Sequence, residues 1–127
     1  MKIQLLFIAL LSALLFTACQ KEEVNCRDNA LGTYQGSDGF GGTTTAKVQE
    51  GAGEKGTTII FTFDNPNIGT NTYTVTGDLN ESCTVLTIPT QPVAQSQVSG
   101  TLALTDDKLT GTVMIDGTNL PVNLTKQ

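Results

Sequence analysis

From Leu31 to the end of the chain, apolar and polar residues alternate with a period of two, and no stretch repeats apolar residues at helical spacing. That pattern predicts strands throughout. Ile59, Phe61 and Phe63 fall on one face of their segment, with Thr58, Ile60 and Thr62 on the other. Tyr73 and Val75 alternate with Thr72, Thr74 and Thr76. Leu102 and Leu104 alternate with Thr101, Ala103 and Thr105, and Leu109, Val113 and Ile115 with Thr110, Thr112 and Met114. Leu120, Val122 and Leu124 close the chain in the same way. Threonine recurs on the polar side because its branched Cβ suits the pleat while its hydroxyl stays in water. Its abundance is a property of the sheet, not a sign of modification.

Segments rich in Gly, Pro, Asn and Asp punctuate these runs at 37–42, 50–56, 64–69, 78–81, 89–96, 106–108 and 116–117, and they delimit eight strands. Most are too short for crossover helices, so strands adjacent in sequence are expected to pair antiparallel. Ser99-Gly100-Thr101-Leu102 and Thr110-Gly111-Thr112-Val113 read as two arms of one hairpin across Asp106-Asp107. The expected fold is all-β: an eight-stranded antiparallel up-and-down meander, closed into a small barrel or split into a β-sandwich. Pro121 interrupts the donors of the last strand and suits an edge or a seam. The opening strand, Leu31-Gly32-Thr33-Tyr34-Gln35-Gly36, resembles the Gly-x-Tyr-x-Gly opening of lipocalin-like and avidin-like meanders, which implies a barrel.

The N-terminal segment carries a different pattern. Lys2 supplies a positive start, Ile3 to Phe16 is an apolar run broken only by Gln4 and Ser12, and Thr17-Ala18 are the small residues of a cleavage site. Leu15-Phe16-Thr17-Ala18-Cys19 resembles the lipobox of bacterial lipoproteins, with Phe16 where Leu is usual. The resemblance implies a diacylglycerol on Cys19, cleavage before it, and acylation of the new amine with a palmitate-type chain. Gln20-Lys21-Glu22-Glu23 resembles the signal that Bacteroidota-type surface lipoproteins carry directly after the lipidated cysteine, which implies contact with the lipoprotein export machinery. The expected organisation is a signal peptide over 1–18, a lipidated tether over 19–29 and one all-β domain over 30–127. The expected location is the outer membrane, at the cell surface or, alternatively, on its periplasmic face. A transmembrane helix is disfavoured, because the apolar run falls short of the roughly 20 residues that span a bilayer.

Removal of residues 1–18 takes Lys2 with it and leaves six basic residues against twelve acidic ones, a net charge of −6 on 109 residues. No basic cluster is present to neutralise phosphates, so nucleic acid is not an expected partner. The same charge holds the domain off anionic headgroups, leaving the lipid as the membrane contact. Cys26 and Cys83 are candidates for a disulfide, with two independent thiols as the alternative. A metal site is not expected, since histidine is absent and two lone cysteines make no tetrahedral set. The segment from Asp64 to Gly69 mimics a calcium loop only superficially, because Pro66 occupies a required ligand position.

The lack of histidine also removes the Ser-His and Cys-His nucleophile pairs. Carboxylate pairs such as Asp106 with Asp107, or Asp64 with Asp78, are the remaining catalytic candidates. Adjacent strand residues point to opposite faces, so the first pair would have to act from a turn. No catalytic residue and no cofactor beyond the covalent lipid is therefore expected. Tyr34, Phe61 and Tyr73 are candidates to face a ligand, though the large side chains are enough to fill most of an eight-stranded interior. The function expected is non-enzymatic: a monomeric, lipid-anchored outer-membrane lipoprotein with a binding or envelope role. The alternatives are a lipocalin-like carrier of a small apolar ligand, which requires a deep cavity, and a periplasmic partner or inhibitor of another envelope protein.

Overall fold

The computed structural model describes residues 25–127. Cys19 and Gln20 to Glu23 lie outside the described residues. A single helical turn, α1 (Arg27–Ala30), precedes eight strands: β1 (Gly32–Ser37), β2 (Thr43–Glu50), β3 (Gly56–Asn65), β4 (Gly69–Leu79), β5 (Val85–Val93), β6 (Ser96–Thr105), β7 (Lys108–Ile115) and β8 (Thr118–Lys126). Each strand pairs antiparallel with its sequence neighbour, and β8 returns to β1, so the meander closes into a barrel. β6 and β7 are the arms of one hairpin, with Gly100 opposite Val113 and Leu102 opposite Gly111.

The alternation seen in the sequence is the alternation of the barrel wall. Ile59, Phe61, Val75, Leu86, Ile88, Val98, Leu102, Leu109, Val113 and Leu124 are all almost fully buried. Thr72, Thr74, Thr76, Thr87, Thr101 and Thr112 stand outward and exposed. Apolar inside and hydroxylic outside is the reverse of a barrel that faces lipid. Closure of so narrow a sheet also needs places where strands come close. Inward-phased glycines supply them: a Cβ on Gly36 would strike the Asn123 carbonyl, and one on Gly111 the Thr101 carbonyl. The tight turns use left-handed backbone as well, at Asp106 and Asp107 between β6 and β7, and at Asp116 and Gly117 between β7 and β8.

Two seams interrupt the ladder. β8 meets β1 through two pairs, Tyr34 with Lys126 and Gln35 with Thr125, supported by the Gln127 amide donating to the Thr33 carbonyl at 2.8 Å. Pro121 lies opposite Thr112 on the β7 side and beyond the stretch where β8 meets β1, so its missing donor falls in the seam. The second seam was not anticipated. β4 and β5 share only the pairs Asp78 with Thr87 and Leu79 with Leu86. The segment 89–96, expected to be a breaker, is mostly strand: β5 continues to Val93, with its register against β6 shifted between Ile88 and Gln91. Pro89 and Pro92 remove donors there, and the Gln91 side chain takes over the bonding. Its Oε1 accepts from the Thr76 amide at 2.9 Å and its Nε2 donates to the Thr76 carbonyl at 2.8 Å, as a strand backbone would.

The folded unit begins upstream of Ala30. Asn25 accepts from the Arg27 amide through its side chain at 3.1 Å, and its Nδ2 donates to the Glu54 carbonyl at 3.0 Å. Cys26 is joined to Cys83, with Cα atoms 5.9 Å apart across 57 residues of sequence. Arg27 is 6% exposed and inserts into the β2–β3 connection. Its guanidinium donates to the carbonyls of Gly53 at 2.5 Å and Gly56 at 3.2 Å, and to Glu50 at 2.6 Å. Residues 25–30 thus form the floor of the barrel rather than the end of a tether.

Candidate functional site

The barrel has two unlike ends. The helix, the disulfide and the connections β2–β3, β4–β5 and β6–β7 close one of them. The Tyr34 hydroxyl plugs this floor by donating to the Ala30 carbonyl at 2.8 Å. Burial pushes its pKa up, with the charge of Asp107 adding to the effect, so the phenol stays protonated as the donor the bond requires. Lys126 sits 6.0 Å from the ring centroid and donates to the Asn29 carbonyl at 2.9 Å.

The opposite end, where β1–β2, β3–β4, β5–β6 and β7–β8 turn, is an open apolar cup of about 480 Å³. Its wall consists of Phe63, Tyr73, Ile115 and Leu120 with Pro121, and its polar points are Asp38, Thr44, Asn65, Asn71 and Thr118. Phe63 and Tyr73 meet edge to face, with centroids 6.0 Å apart at 65°. Phe61 stacks beneath Phe63 at the same centroid distance and is fully buried, which sets the bottom of the cup. The cup's volume lies in the range of small-molecule sites. It occupies the mouth only, and the layers below are filled by the core.

Two loops raise the rim. Phe40, 77% exposed, stands on the β1–β2 connection, and Ile68, 79% exposed, on the β3–β4 connection. A polar clasp fixes both. Asp38 Oδ1 accepts from the amides of Phe40 at 2.7 Å and Gly42 at 2.8 Å, and its Oδ2 accepts from Asn65 Nδ2 at 3.1 Å. Asn65, 7% exposed, also donates to the Phe40 carbonyl at 3.2 Å, while its own carbonyl accepts from the Ile68 amide at 3.1 Å. The amide donors, the Phe40 amide foremost, lower the pKa of Asp38 below its ordinary value, so it remains an anion in the clasp. Asp116, in the β7–β8 turn, is lowered likewise by the Gln97 amide and then by Ser96.

The three aromatic candidates occupy one cross-strand rank, in which Tyr34 is opposite Ala46, Ala46 opposite Phe61, and Phe61 opposite Tyr73. Because strands in a closed barrel tilt against its axis, this rank climbs from floor to mouth. Tyr34 is buried under the helix, Phe61 in the core, and Tyr73 alone reaches the cup. Among the carboxylate pairs, Asp64 lies opposite Thr70 near the mouth and Asp78 opposite Gly56 at the other end of the same hairpin, so they are not brought together. Asp106 and Asp107 stand in the floor-side turn. Cys26 and Cys83 lie beside Lys55, whose Nζ donates to Cys26 Sγ at 3.1 Å. No group of three potential metal ligands forms among the described residues.

The sequence reading missed Phe40 and Ile68, which sat inside segments classed as breakers. No local signal marked them, since single apolar residues are ordinary on a protein surface, and only the closed fold brings these two to one rim. Comparison with known protein families, curated proteins and solved structures returns no match to this chain.

Proposed function

We propose that this chain is a lipid-anchored outer-membrane lipoprotein of the cell surface, non-enzymatic, whose barrel presents the apolar cup away from the membrane for binding. The observation that carries this reading is the placement of the cup at the end opposite to where the chain enters the barrel. The lipobox-like Cys19 lies six residues before Asn25, and a trans chain of that length reaches roughly 20 Å at most. The anchor therefore keeps the floor near the bilayer and leaves the mouth, with Phe40 and Ile68, as the distal surface. Several acyl chains on Cys19 supply a stable hold where one would be marginal, at about 0.8 kcal/mol per buried methylene. The carrier alternative requires a deep cavity, and the filled layers below the cup lend it no support.

Metabolic labelling with an alkyne analogue of palmitate, followed by membrane fractionation, tests the anchor. The wild type is expected to take up label and to sediment with the outer membrane, and Cys19→Ala to do neither. An unlabelled wild-type protein recovered in the soluble fraction would overturn the reading.

A further inference from the structure

The cations of the described residues are distributed unevenly between the two ends, whereas carboxylates stand at both, seven of the ten described ones on the floor side. Arg27, Lys55, Lys108 and Lys126 belong to the helix, the β2–β3 connection, the start of β7 and the end of β8, all on the floor side, and Lys47 lies midway along β2. The mouth connections and the cup wall contain none of the described Lys or Arg residues. They contain three carboxylates: Asp38 on the cup wall, Asp64 at the end of β3, and Asp116 in the β7–β8 turn. Of these, Asp38 alone lines the cup, while Asp64 alternates with the inward Phe63 and Asn65 and accepts from the Thr70 hydroxyl at 2.9 Å on the outer side. An apolar well whose rim carries anions and no cation still discriminates among amphiphiles by the sign of their head group, through the field at low ionic strength.

We propose that the cup binds small organic cations with an apolar body, such as aryl-alkyl amines, and rejects the corresponding carboxylates. This deepens the binding role proposed above and rests on it. The apolar body sits against Phe63, Ile115 and Leu120, and Phe40 and Ile68 close over it from the rim. The ammonium stays at the polar edge, where Asn71 and Thr118 offer side-chain oxygens and Asp38 supplies charge. Tyr73, with its ring on the cup wall, adds a π-face that attracts a cation and offers nothing to an anion. Asp38 and Asp116 both keep their charge well into the acid range, because backbone amides donate to them. A carboxylate in the same place would meet the negative field of the rim and no cation.

A matched series of 4-phenylbutylammonium, 4-phenylbutan-1-ol and 4-phenylbutyrate tests the proposal, titrated at low ionic strength into the full lipidated chain in nanodiscs of zwitterionic lipid. Methyl NMR reports on Ile68, Ile115 and Leu120 at the cup, with Ile59 and Ile88 in the core as internal controls. The ammonium is expected to shift the cup methyls saturably, about tenfold tighter than the alcohol, with the carboxylate weakest, and this spread should collapse when salt shortens the Debye length to a few ångström. The double substitution Asp64→Asn and Asp116→Asn, which preserves the acceptor oxygens, should reduce the preference without abolishing binding of the alcohol. Equal affinity for the three probes, or preference for the carboxylate, would overturn the cation selectivity while leaving the cup as a binding site. A lack of saturable shift with every probe would remove the binding role itself.

Discussion

Gln91→Ala should open the β4–β5 seam selectively. In the native barrel the Thr76 amide and carbonyl point at β5 and find, instead of a strand backbone, the two ends of one side-chain amide at 2.9 and 2.8 Å. A typical hydrogen bond contributes about 1 kcal/mol net, and Thr76 is exposed enough for water to replace what is lost. The substitution should therefore cost about 1–2 kcal/mol, not the larger penalty of a buried orphan. On a marginal domain that is a factor of roughly 5–30 in the opening equilibrium. Amide hydrogen exchange on the native protein resolves the effect by residue: Thr76 should exchange faster by that factor, while Leu102 and Val113, in the continuous β6–β7 ladder, change only as far as global stability falls. Gln91→Glu keeps the acceptor and loses the donor, so it should fall between. An unchanged exchange rate at Thr76 in Gln91→Ala would refute the idea that this side chain stands in for a strand.

Other consequences concern the floor and the rim. Arg27→Met keeps the bulk and removes the donors to the Gly53 and Gly56 carbonyls, which should cost about 2–4 kcal/mol in chemical denaturation. Most of that loss should remain in Glu50→Gln background, because Glu50 is 69% exposed and its ion pair contributes little. Replacing Cys26 and Cys83 by Ser frees a span of 57 residues, for which chain entropy gives a loss of about 4 kcal/mol, seen as a lower denaturation midpoint in oxidising buffer. Asp38 has a folded-state pKa below its ordinary 3.8, so its contribution is present above that value and is lost as the pH falls through the folded one. The stability difference between wild type and Asp38→Asn should accordingly be constant near neutrality and close in the acid range, measured by denaturation at a series of pH values.

Much of the barrel was legible because a period of two, once a face is buried, leaves little freedom in which residue points inward. Ile59, Phe61, Leu102, Val113 and Leu124 declared themselves in this way. β5 did not, because Pro89 and Pro92 look like turn residues and the group that compensates for them is a side chain from their own strand. The floor was hidden for a related reason: Asn25, Cys26 and Arg27 are polar or isolated, and nothing local says that a guanidinium will be buried among loop carbonyls. Of the candidate site, Tyr73 was nominated, but its separation from Tyr34 and Phe61 depends on strand tilt, a property of the closed sheet. Phe40 and Ile68 were obscured by the glycine, proline and asparagine around them. The clasp of Asp38 and Asn65 joins residues 27 apart, a contact that only the closed topology creates.

The central claim, a lipid-tethered barrel holding its cup outward at the cell surface, is tested most directly by labelling Ile68→Cys with a membrane-impermeant maleimide on intact cells. The native cysteines of the barrel are paired with each other, so the new thiol reports on the rim. The account predicts labelling on intact cells as complete as after lysis, and its loss when Lys21, Glu22 and Glu23 are replaced by alanine. Protection of the otherwise unaltered Ile68→Cys protein until the cells are lysed would contradict it and put the cup on the periplasmic side.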